Sequence, residues 1–75
     1  MNDLLKLVEE LEKSPDSFLV LLKFRKFLSK LPYGEISYDR LMPIIERVNE
    51  ISPEIGVMMI IYLMDQEEYF RRMKS

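Results

Sequence analysis

Leu4, Leu7, Val8 and Leu11 stand at the i, i+3, i+4, i+7 spacing that lines up one apolar stripe on a helix. Charged residues fill the gaps, and Lys6/Glu10 and Glu9/Lys13 sit four apart on the solvent side. The pattern predicts an amphipathic helix over about 2–13. A second pattern over about 15–30 places Val20, Phe24 and Phe27 on one side, continued by Leu31, and stops where Pro32 and Gly34 break it. A third, over about 37–50, has Leu41, Ile44, Ile45 and Val48 as its stripe. Its sixth position is Pro43, which lacks an N–H and crowds the preceding turn, so a kink or break is expected there. A fourth helix covers about 53–73.

The same device marks two of these boundaries. In "EKSPDSF" and "EISPEIG" a serine, a proline and an acid interrupt one helical pattern and open a more apolar one. Serine caps exposed N–H groups, proline suits the first helical position, and the carboxylate meets the positive end of the dipole. Ser14 and Ser52 are therefore the expected caps. Each preceding helix must end beside them, because proline disfavours helical geometry in the residue ahead. The expected fold is all-α: one compact four-helix domain over residues 1–75, built from two αα-hairpins joined near residues 31–36.

The fourth helix departs from the usual pattern of one apolar stripe and one polar face. On a helical wheel Ile55, Met58, Met59, Tyr62, Leu63, Tyr69, Phe70 and Met73 share one side, the expected core face. The opposite side carries Val57, Ile60, Ile61 and Met64, and turns charged only later with Glu67/Arg71 and Glu68/Arg72. The second helix also has surplus apolar surface, since Phe18, Leu19 and Leu22 lie away from Phe24. The unbroken non-polar run is half the ~20 residues a membrane span needs. Two explanations are left: a helix threaded through the middle of the bundle, or an exposed face that docks on a partner.

Composition narrows the chemistry. There is no histidine and no cysteine, which excludes Ser-His and Cys-His nucleophiles, disulfides and thiolate metal sites. The two glycines lack phosphate-loop spacing. Glu9, Glu10, Glu12, Glu67 and Glu68 have basic neighbours at helical spacing and read as solvated faces. No enzyme, metal or cofactor is expected. With 11 basic and 13 acidic residues the net charge is -2, and few Asn or Gln residues accompany the many charges, a thermophile-like balance. The acidic, amphipathic N-terminus is unlike a signal or transit peptide, so a cytoplasmic location is expected.

The sequence therefore points to a non-catalytic protein–protein interaction module: an accessory subunit, adaptor, regulator or inhibitor of a larger protein, or a chain that self-associates. Its expected contact residues are Val57, Ile60, Ile61 and Met64, with Phe18, Leu19 and Leu22 as a second patch. The alternative is a nucleic-acid-binding accessory protein. Lys23, Lys26 and Lys30 lie within about 60 degrees of arc on the second helix, and Arg71 and Arg72 near the C-terminus are further candidates for phosphate contacts.

Overall fold

A computed structural model describes residues 2–74. Four helices follow one another: α1 (Asn2–Lys13), α2 (Phe18–Lys30), α3 (Tyr38–Ile51) and α4 (Pro53–Lys74). The described residues contain no strand, so the fold is an all-α four-helix domain. α1 packs on α2 and α3 on α4, the two expected hairpins, and α2·α4 and α1·α3 contacts join them. The ring order is thus α1–α2–α4–α3, with the 31–37 connection crossing the diagonal between α2 and α3.

Leu4, Val8 and Leu11 of α1, Val20, Phe24 and Leu28 of α2, and Leu41, Ile45 and Val48 of α3 point into this ring and are buried. Ile55, Met59, Tyr62 and Leu63 of α4 join them. Each such side chain contributes about 1.5–3 kcal/mol when removed from water. Leu7, Phe27, Leu31, Ile44 and Met58, also expected inside, are partly buried against this core. α3 runs without a break through Pro43. The proline is exposed in the helix's second turn, so the N–H it lacks is lost close to the end of the ladder.

The two serine-proline devices behave differently. At the α3–α4 corner Ser52 acts as expected: its N–H donates to the Val48 carbonyl, and its hydroxyl accepts from Ile55 N–H at 3.5 Å. One residue closes α3 and opens α4. At the α1–α2 corner, α2 begins at Phe18 rather than about residue 15. Ser14 ends α1 by donating to Glu10, and Ser14–Ser17 close a turn with Pro15 and Asp16 at its centre. Proline at the second position suits a turn as well as a helix start. The cap is Ser17, whose hydroxyl accepts from Val20 N–H at 3.4 Å.

α4 has 22 residues against 14 in its partner α3, so its last turns run past the bundle. This corrects the expectation of one core face along its full length. Tyr69, Phe70 and Met73 are exposed: Tyr69 packs on Tyr33 and Phe70 lies against Gly34 beside Tyr38, the first residue of α3, instead of entering the core.

Candidate functional site

In the ring α4 has two neighbours, α3 and α2, and its remaining face meets no other element. The side toward α3 is closed by a small residue. A Cβ at Gly56 would lie 2.8 Å from Asn49 Cα, so the close approach of α3 to α4 depends on glycine there. The outward side carries Val57 (51% exposed), Ile60 (41%), Ile61 (51%) and Met64 (64%). These four are not threaded through the middle of the bundle; they lie on its surface.

α2 runs beside α4 in the same direction. At one end a groove brings Phe18 and Leu21 against Ser52, Pro53 and Ile55; at the other, Arg25 and Ser29 face Met58, Ile61 and Asp65. Phe18 (70% exposed), Leu19 (68%) and Leu22 (40%) stand on the outer surface of α2. The helical step turns Phe18 and Leu22 toward α4 and Leu19 toward α1. All seven residues expected to meet a partner are therefore exposed, and Phe18 and Ile61 line the seam between α2 and α4, with Arg25, Ser29 and Asp65 beside Ile61.

The basic residues do not form one site. Lys23, Lys26 and Lys30 line a common groove between α1 and α2, floored by Leu7, Phe27 and Leu31, but Asp3 and Glu35 line it too. Lys23 also pairs with Glu10 at 3.1 Å, which takes Glu10 from its expected neighbour Lys6. Arg71 and Arg72 lie on the overhang of α4, and both bond Glu68, at 3.2 and 3.1 Å. Arg47 reaches Glu12 and ties α3 to α1. These pairs are exposed and contribute little each, about 0–1 kcal/mol.

A cluster that the sequence pattern did not reveal holds the 31–37 connection to α4. The Tyr62 hydroxyl donates to the carbonyl oxygens of Leu31 (3.3 Å) and Pro32 (3.1 Å). Gly34 N–H donates to Gln66 Oε1 at 3.0 Å, and Gln66 is buried. The turn closes from Glu35 N–H to the Pro32 carbonyl. It places Gly34 at its third position with φ +88, where only glycine is unstrained. Tyr33 packs between Tyr62 and Tyr69 with ring centroids 5.5 and 5.1 Å away, and Ile36 enters the core. Burial, foremost, and then Tyr33 and Glu35 push the Tyr62 phenol above its ordinary pKa. The one early signal was Gln66 itself, the only polar residue between Leu63 and Phe70 on the core side of the helical wheel.

Among the described residues no helix is long and apolar enough to cross a membrane. In comparisons with known proteins, no family model, curated sequence or solved structure matches this chain.

Proposed function

We propose that this chain is a non-catalytic protein–protein interaction module, a small accessory subunit, adaptor or inhibitor acting in the cytoplasm. It docks through the α2–α4 face. The observation that carries this reading is the exposure of Phe18, Leu22, Val57, Ile60, Ile61 and Met64 together, beside a core that is already filled. Soluble monomers seldom leave apolar patches of more than a few hundred Å² open to water. Burial at about 25 cal/mol per Å² would drive docking, and the charged residues around the face would set orientation.

A photo-crosslinking residue at position 64 tests the reading against the same probe at Glu9, which is exposed on α1. Protein adducts that form from position 64 alone, and disappear with Ile60→Asp, are the expected outcome. Equal labelling from both positions overturns it.

Nucleic-acid binding is the second reading, favoured by the convergence of Lys23, Lys26 and Lys30 on one groove. Against it stand Asp3, Glu10 and Glu35 at the same place and the pairing of Arg71 and Arg72 with Glu68. Retention on heparin or DNA that falls steeply with salt, and is lost on Lys26→Glu, would favour it over docking on protein.

A further inference from the structure

The chain has six methionines and no cysteine, so thioethers are its only sulfur and no thiol competes with them for an oxidant. A thioether that takes up one oxygen becomes a sulfoxide, which turns a flexible apolar side chain into a polar one.

The fold grades these thioethers steeply. Met59 is fully buried, and Met42 and Met58 are partly buried against the core. Met64 and Met73 stand open to solvent, at 64% and 66% exposure. The two differ in what surrounds them. Ile60 and Ile61 lie four and three positions before Met64, and Glu67 and Glu68 lie three and four positions after it. Residues at these spacings are neighbours on a helix surface. Met64 is therefore the boundary between the apolar half and the charged half of the outer face of α4. Met73 lies nine residues further on, between Arg72 and Lys74 on the overhang.

A peroxide acts on a thioether by transferring one oxygen atom. The sulfur lone pair attacks a peroxide oxygen, the O–O bond breaks and the S–O bond forms. With hydrogen peroxide the leaving oxygen departs as water. Sulfur loses two electrons and the peroxide gains them. At Met64 the new S–O dipole would move the polar boundary back toward Ile60 and Ile61 and shorten the apolar run by one turn. Burying that side chain would then cost the hydration of the sulfoxide oxygen.

We propose that Met64 is an oxidation site that regulates the outer face of α4, where its sulfoxide weakens docking and leaves the core undisturbed. This rests on the reading of that face as a docking surface. A docked face shields the sulfur, so the free chain is the form that reacts. Methionine sulfoxide is reversible by reductases, which makes the change a switch and not only a lesion.

Hydrogen peroxide is the probe, with peptide mapping by mass spectrometry to find which methionines gain one oxygen. In the folded wild-type chain Met64 and Met73 should react together. Met59 should react more than about 100-fold more slowly, because its sulfur is reached only when the domain opens. Helical circular dichroism should be unchanged when Met64 is fully oxidised. The dye anilinonaphthalene sulfonate, whose fluorescence rises on apolar surfaces, then reads the face. Its fluorescence with the wild-type chain and with Met73→Leu should fall on oxidation. With Met64→Leu, which keeps the apolar bulk and has no sulfur at that position, it should hold.

Oxidation of Met64 as slow as that of Met59 overturns the proposal, and so does loss of helix when Met64 is oxidised. Dye binding that oxidation leaves unchanged, or lowers equally in Met64→Leu, overturns the regulation and leaves the docking face standing. Absence of dye binding before oxidation removes both.

Discussion

Gly34 N–H donates to Gln66 Oε1 at 3.0 Å, joining residues 32 positions apart in the chain. Through this bond the loop that links the two hairpins is fixed to the helix that carries the candidate interface. Replacing Gln66 by leucine keeps the bulk and removes the acceptor, so a backbone donor in a part-buried setting loses its partner. The expected loss is about 1–3 kcal/mol, read from urea unfolding at constant slope. A midpoint equal to that of the wild type would mean that water serves Gly34 equally well.

The Tyr62 phenol is held above its ordinary value of 10.0, mainly by burial and then by Tyr33 and Glu35. The folded state therefore disfavours the phenolate. The contribution of the neutral phenol is complete below about pH 10 and is lost as pH rises through the raised folded-state value. Tyr62→Phe should be less stable at neutral pH, having lost its bonds to Leu31 and Pro32, and should show a shallower alkaline decline. Thermal melts of both proteins across the alkaline range measure the difference.

Gly56 faces Asn49 so closely that an added Cβ meets its backbone, not only its flexible side chain. Alanine is the better helix former by about 1 kcal/mol, yet here it must push α3 and α4 apart. Gly56→Ala is expected to destabilise by about 1–3 kcal/mol, as overpacking does. A stabilised variant would show that the two helices can separate at no cost.

The three serines at the corners separate cap from turn. Ser17→Ala and Ser52→Ala should each cost about 0.5–1 kcal/mol, since each hydroxyl accepts a helix N–H over a long bond. Ser14→Ala should be nearly neutral, because Ser14 serves the turn through its backbone. Chemical denaturation of the three variants side by side gives the comparison.

What could be read from the sequence was what depends on local period and local sterics. The stripes of α1 and α3, the corner at Ser52 and the surplus apolar positions of α2 and α4 repeat at helical spacing, so they are legible residue by residue. What escaped depends on distant parts of the chain. The start of α2 required knowing whether Pro15 enters a turn or a helix, and both use the same proline geometry. The exposure of Tyr69 and Phe70 depends on where the 33–34 turn and the start of α3 meet α4, a property of the packed elements rather than of the helix itself. The Gly34–Gln66 and Lys23–Glu10 bonds join separate elements, so no periodic pattern contains them.

The central claim is that the outer side of α4 is a docking surface and not part of the core. Unfolding of Ile61→Asp by urea tests it most directly. The account predicts a free energy within about 0.5 kcal/mol of the wild type, as for other surface substitutions. A variant that loses several kcal/mol, or no longer unfolds cooperatively, would place Ile61 in the core and contradict the account.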